Sequence, residues 1–254
     1  MLIELAGVPV EICCRFPSNE RFLEDYRTDK PPVMTVRPGP EDLEAIREAF
    51  IKEDRREVRY DPAYLENNAI HALLAEGLVQ HDVLLMHGSA LCMDGLGYIF
   101  AAKSGTGKST HARLWRREFG NRVFMINDDK PMLRIEEGRV TVYGTPWDGK
   151  HRLSRNASAP LKAIAQLCRG DENRIEPLSK AGAFQMLMKH AYISRDPAVM
   201  ARIMALEKRL VDSVPFYHLQ CNMEPEAARV ARAAMSAGCL QVKETAFEKG
   251  GVFE

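Results

Sequence analysis

Apolar and polar positions divide the N-terminal part of the chain into a hairpin, a broken polar stretch and two helices. Leu2 to Cys14 carries two apolar stretches about Gly7, the pattern of a short hairpin or a pair of strands. Arg15 to Pro40 is polar and interrupted by Pro31-Pro32 and Pro38-Gly39-Pro40, which break regular structure. Glu41 to Lys52 places Leu43, Ile46, Phe50 and Ile51 on one helical face. Glu53 to Arg59 is a charge run, expected as a solvated loop or an exposed strand. Asp61 and Pro62 then read as an N-cap followed by proline at the first helical position. They open a helix that continues through Leu65, Ile70, Leu73 and Leu74 to about Gly77.

Strands dominate the next stretch. Val83 to Met86 is a short apolar strand, followed by His87-Gly88. Ser89 to Met93 and Leu96 to Ala102 flank Asp94-Gly95, a pair that favours a tight hairpin turn. Lys103 to Lys108 is a glycine-bearing loop, and Ser109 to Phe119 a helix stopped by Gly120. Val123 to Ile126 is a buried strand closed by Asn127-Asp128-Asp129. Met132 to Ile135 and Val140 to Tyr143 pair around Glu137-Gly138. A polar segment, Gly144 to Ser158, precedes strands at Leu161 to Cys168 and Arg174 to Pro177. Helices at Ser179 to Ala191 and Pro197 to Val211 follow, then a strand at Phe216 to Leu219, a helix at Glu224 to Ser236 and a frayed tail from Gln241. Only Ser109 to Phe119 has the length and pattern of a crossover between parallel strands. The expected sheet is therefore mixed and partly antiparallel.

Composition narrows the class. The chain has 254 residues, 46% hydrophobic and 28% charged, as in an ordinary globular protein with room for a substantial core. The charges balance at 35 Lys+Arg against 35 Asp+Glu, without the basic excess of a general nucleic-acid binder. No apolar run approaches the roughly 20 residues that span a bilayer. The start, Met1-Leu2-Ile3-Glu4, lacks the basic and apolar regions of a signal peptide. A cytoplasmic protein with neither nucleic acid nor membrane as partner is the expectation. Six cysteines (Cys13, Cys14, Cys92, Cys168, Cys221 and Cys239) form no C-x-x-C or Cys/His cluster, so they read as reduced thiols packed as small hydrophobes.

The chemistry concentrates in Ala102-Lys103-Ser104-Gly105-Thr106-Gly107-Lys108-Ser109-Thr110, a Walker A loop with Ala where the first Gly is usual. Gly105 and Gly107 permit backbone conformations that turn successive N–H groups toward an anion. Lys108 reaches for β- and γ-phosphates, Ser109 offers a hydroxyl to Mg²⁺, and the following helix directs its positive end at the phosphates. Downstream, Val123-Phe124-Met125-Ile126-Asn127-Asp128-Asp129 has the apolar-then-acidic form of a Walker B strand. Two consecutive carboxylates permit a division of labour, one on the metal and one taking a proton from an attacking hydroxyl. Between Lys103 and Arg134 eight basic residues stand against three acids, a local surplus around a loop suited to a polyphosphate. Lys103 and His111 either reach a phosphate or lie on the surface.

His87-Gly88, a hairpin, the Ser104–Ser109 loop and Asp128-Asp129 together resemble the catalytic domain of HPr kinase/phosphorylase, whose nucleotide-binding core is shared with phosphoenolpyruvate carboxykinase. The resemblance is specific over about residues 83 to 135 and weaker to about 240. It implies an α/β P-loop kinase core with a mixed, twisted sheet over 61–240, preceded by a small N-terminal α+β region over 1–60 and followed by a tail over 241–254. It implies ATP and Mg²⁺, with Ser104, Gly105, Thr106, Gly107, Lys108, Ser109 and Thr110 on the triphosphate and Ser109 and Asp128 on the metal. Asp129 would be the likelier base, although the two acids are interchangeable at this level, and His87 would lie near the transferred phosphoryl. The acceptor would be a hydroxyl, a serine above all, on a peptide, protein or small molecule. Kinases of this kind assemble, so a homo-oligomer stays open.

Two departures point away from HPr itself as acceptor. The glycine-rich signature of HPr kinases is not found after the acidic pair, and the N-terminal region differs from their regulatory domain. Gly144-Thr145-Pro146-Trp147-Asp148-Gly149-Lys150-His151-Arg152 stands in the corresponding place. It reads either as a second site, with Asp148, Lys150 and Arg152 meeting charged groups, or as a turn whose tryptophan fills a core edge. The rivals to a kinase are a nucleotide-sensing module and an ATPase whose acceptor is water.

Overall fold

The computed structural model describes residues 1–54 and 59–237. In chain order the elements are β1 (Leu2–Leu5), β2 (Val8–Ile12), α1 (Pro17–Phe22), β3 (Met34–Val36), α2 (Pro40–Asp54), α3 (Pro62–Gly77), β4 (Val83–Leu85), β5 (Ser89–Met93) and β6 (Leu96–Ala101). There follow α4 (Lys108–Phe119), β7 (Val123–Asn127), β8 (Met132–Glu136), β9 (Arg139–Tyr143), β10 (Ser158–Arg169), β11 (Arg174–Pro177), α5 (Lys180–His190), α6 (Pro197–Ser213), β12 (Phe216–Cys221) and α7 (Pro225–Ser236).

A nine-stranded sheet forms the centre, in the order β4-β8-β9-β10-β6-β5-β7, with β12 beside β10 and β11 beside β12. It is mixed. β10 runs parallel to β6 and to β12, while the other pairings within this sheet are antiparallel. Strand β10 is long enough to pair with β9 at Ser158–Pro160, with β6 from Leu161 and with β12 from Ile164. Side chains alternate between the faces of a strand, and both faces here are covered. Along β5, Leu91 and Met93 belong to a core with Trp115 of α4 and Ala227, Ala228 and Ala231 of α7. Ala90 and Cys92 belong to a second core with Met186 and Leu187 of α5 and Ile203, Leu206 and Leu210 of α6. That double cover is why all five residues of β5 are buried.

A smaller sheet, β1-β2-β3, packs against α3 and strands β4 and β8 of the large one. Its Ile3, Leu5, Val10 and Ile12 share a core with Ile70 and Leu74 of α3, Leu85 of β4, Met132 of β8 and Trp147. The helix at Pro62 is capped as its sequence requires, the Asp61 carboxylate accepting from the Ala63 N–H at 2.8 Å.

Several expectations need correction. The polar stretch from Arg15 to Pro40 contains α1 and β3. Buried Glu66 of α3 holds α1 in place by accepting from the Arg15 N–H at 2.8 Å and from Asn19 Nδ2 at 2.8 Å. Glu53 and Asp54 of the charge run close α2 rather than lying in a loop or strand, and residues 55–58 fall outside the described residues. A second connection between parallel strands exists, since β11, α5 and α6 lie between β10 and its parallel neighbour β12. The tail from Gln241 and Cys239 lie outside the described residues. The other five cysteines are free thiols.

Candidate active site

The glycine loop lies between β6 and α4, so the chain passes from a buried central strand through residues 102–107 into the first turn of a helix. Gly105 (φ +78°) and Gly107 (φ +128°) take backbone angles that an L side chain rarely adopts, and a Cβ at either would project into open space. Ser104, Gly105 and Ser109 are exposed, Thr106, Gly107 and Thr110 partly so, and Lys108 is buried. Its Nζ donates to the Ala102 carbonyl at 3.0 Å. Burial lowers the Lys108 pKa and nearby Lys130 adds to this, while the charges of Asp129 and Asp128 oppose it. Arg169, at the end of β10, grips the loop from outside. Its Nε donates to the Thr106 carbonyl at 2.9 Å and its Nη2 to that of Gly105.

The acidic pair follows β7, and its two members sit differently. Asp128 is 4% exposed, and its Oδ1 accepts from the Ser89 hydroxyl at 2.7 Å. It borders a small cleft with Ser109, Thr110 and Arg113. The Asp129 side chain is one-third exposed and lies 3.3 Å from His87 Nε2. Asn127 sets the turn between them: its Oδ1 accepts from the N–H groups of Asp129 (2.8 Å) and Lys130 (2.6 Å). Its Nδ2 donates to Thr145 and to the Trp147 carbonyl, each at 3.1 Å, tying the acids to the segment that follows β9.

His87 follows β4, and its N–H donates to the His190 carbonyl at the end of α5 at 2.6 Å. Partial burial, with Lys130 and Lys108 nearby, pushes its pKa down to about 4 against the opposing pull of Asp129. The neutral ring can donate Nε2–H to the Asp129 carboxylate. Burial and the charges of Lys108 and Lys189 also lower the His190 pKa. Both histidines, with Lys103 to Thr106 and Arg169, line a cleft of about 930 Å³.

The structure thus brings the loop, Asp128, Asp129 and His87 together: the charges of both carboxylates act on Lys108, and the charge of Lys108 acts on His87. Other candidates lie elsewhere. His111 is not on the surface. It is 2% exposed, accepts from Trp115 Nε1 at 3.0 Å and packs edge-on to Phe100. Lys103 is exposed at the rim. Trp147 is a packing residue, buried against Phe22 and His71, with Nε1 donating to Asn67 Oδ1 at 2.8 Å. The local basic surplus is partly spent away from the loop: Arg122 pairs with Asp94, and Arg134 with Glu136 and the Ala6 carbonyl.

Ser89, Arg169 and His190 are site residues that the motifs did not reveal, and Asn127 stands inside the acidic motif without a role assigned to it there. Asn127 carried a signal, since Asn before two acids suits a side-chain-capped turn. Ser89, a hydroxyl opening an otherwise apolar strand, carried a weaker one. No sequence feature marks Arg169 or His190.

No protein-family model matches the chain, and no curated protein matches it. Among solved structures it is similar to the HPr(Ser) kinase/phosphatase from Coxiella burnetii, at 10% identity and a TM-score of 0.33, over 60% of this chain and 98% of that one.

Proposed function

We propose that the chain is an ATP- and Mg²⁺-dependent phosphotransferase that moves the γ-phosphoryl group to a hydroxyl, with serine as the leading acceptor chemistry. The observation that carries this reading is the meeting of a glycine loop, a helix N-terminus and Lys108 with two unlike carboxylates, one buried and one accessible. The donor set suits Mg²⁺ held together with a nucleotide. That ion takes one or two carboxylates and completes its shell with phosphate oxygens and water. Asp128 and Ser109 border one cleft, and no cluster of three or more His, Cys, Asp or Glu side chains able to hold a metal occurs among the described residues. When bound, Mg²⁺ would offset charge on the phosphoryl oxygens.

The roles divide by exposure. Asp128, fixed by Ser89, is the metal-side acid. Asp129 accepts the acceptor's proton, and His87 holds the Asp129 carboxylate in place through its neutral ring. Lys108 and the loop amides meet the transferred group, so most of the acceleration comes from position and electrostatics.

Asp129→Asn separates this reading from its rivals. Binding of a fluorescent ATP analogue should persist, while label transfer from γ-labelled ATP to acceptor falls by about 10²–10⁴. Transfer at the wild-type rate would remove Asp129 as base. Phosphate release without any phosphorylated product would make the chain an ATPase, and nucleotide binding with neither would make it a sensor.

A further inference from the structure

A second cleft, of about 690 Å³, includes Asp129 in its lining. Its walls come from four separate parts of the chain: α1, α3, the turn at Asp129-Lys130 and the loop from Trp147 to Arg152. That volume is within the range of small-molecule sites, about 300–1,000 Å³. Asp129 is the only one of the proposed catalytic side chains that lines it.

The lining has a definite chemistry. Lys130, Lys150 and Arg152 outnumber Asp129 and Asp148, and Trp147 supplies an aromatic wall. If Asp129 is assigned to the reacting hydroxyl, three cationic groups face one remaining carboxylate. His71 also lines the cleft, and its Nε2 is buried without a partner among the described residues. Burial, with the Lys130 charge nearby, pushes the His71 pKa down to about 3, so the ring is neutral at physiological pH. A neutral imidazole beside cations offers a hydrogen bond without adding charge. Charge-assisted hydrogen bonds from Lys and Arg to carboxylate or phosphate are the strong ones.

We infer that this cleft is the acceptor site, and that the acceptor is a small hydroxyl-bearing molecule carrying a carboxylate or phosphate. The N-terminal region then forms part of the substrate site through α1. The assignment rests on the phosphotransfer reading above. The acceptor oxygen forms a bond to the γ-phosphorus as the bond from that phosphorus to the β,γ-bridging oxygen breaks. The hydroxyl proton passes to Asp129, and the products are a phosphomonoester and ADP.

Trp147 makes occupancy readable, because the only other tryptophan, Trp115 of α4, is fully buried. With a non-hydrolysable ATP analogue held saturating, tryptophan fluorescence is titrated with two matched pairs: N-acetylserine against N-acetylserinamide, and glycerol 2-phosphate against glycerol. At least one anionic probe should give a saturable change and bind about tenfold more tightly than its neutral partner, one decade of affinity. Which pair responds distinguishes carboxylate from phosphate. Lys150→Ala with Arg152→Gln, both on exposed positions, should close the gap between the members of the pair. No response to either anion, equal response within both pairs, or an unchanged gap in the double variant overturns the inference. So does γ-label that enters only protein when a host extract is supplied. Fluorescent ATP-analogue binding is measured separately. If it is absent, the phosphotransfer reading itself fails; if it is present while the anions do not respond, only the acceptor assignment fails.

Discussion

Asn127 ties the acidic turn to the segment that follows β9. It is fully buried, yet its amide holds two backbone N–H groups on one side and the Thr145 and Trp147 backbone on the other. Truncating it leaves several buried groups unpaired, each costing about 1–3 kcal/mol. Asn127→Ala should therefore lower stability by about 2–4 kcal/mol in urea titration. It should also reduce the proposed transfer at temperatures where the variant is folded, because the turn that carries Asp129 loses its anchor. Arg169 acts on the loop from outside. Arg169→Ala should raise the KM for ATP more than it lowers kcat, since it frees the Gly105 and Thr106 carbonyls without removing a group proposed to touch the γ-phosphoryl. The loop and the acidic pair were legible because each is contiguous in sequence. Arg169 and His190 act through partners remote in sequence, and no local pattern records them; of Asn127's bonds the local turn to Asp129 and Lys130 could be read, and those to Thr145 and Trp147 could not.

At the scale of elements, the strands and long helices were legible from their period, and the two segments missed are short. α1 has six residues and β3 three. Neither spans enough turns or alternations to set a pattern, and tertiary contacts such as those of Glu66 hold α1. Helices also carry the pH response. In α4, burial pushes the His111 pKa down to about 4, and in α6 burial pushes that of Glu207 up to about 7. In the fold His111 is neutral above about pH 4 and Glu207 below about pH 7, and their signs differ. As pH falls below about 6.5 the unfolded chain protonates at His111 first, so stability is lost toward pH 4. As pH rises above about 4.5 the unfolded chain ionises at Glu207 first, so stability is lost through pH 7. Glu207→Gln should therefore gain on the order of 1–3 kcal/mol over wild type at pH 8, and much less at pH 4.5, in paired denaturation curves.

For the whole molecule, the mixed sheet was legible because tight hairpins and a single obvious crossover leave few topologies. The parallel seat of β12 was not, because a parallel pairing is formed across α5 and α6 and leaves no turn signal. The sequence suggested a boundary near residue 60, and the core contacts run across that position. Ile3, Leu5 and Val10 pack in one cluster with Ile70, Leu85, Met132 and Trp147. A chain beginning at Asp61 would uncover that apolar surface. It should lose cooperative thermal unfolding or aggregate, and static light scattering with calorimetry would check this. No helix among the described residues is long and apolar enough to cross a membrane.

Strand β10 has a consequence for how the protein comes into being. It meets β6 from the middle of the chain and β12 from near its end, and its last residue clasps the glycine loop. On the ribosome the loop and Lys108 are made early, but the neighbour that completes their floor emerges only after α6. Contacts so distant in sequence form slowly. Newly made chains should thus pass through a long interval in which the motif is present but its frame is unfinished. The nucleotide capacity proposed above should accordingly be absent from a chain stopped before β12 and present once β12 is in place.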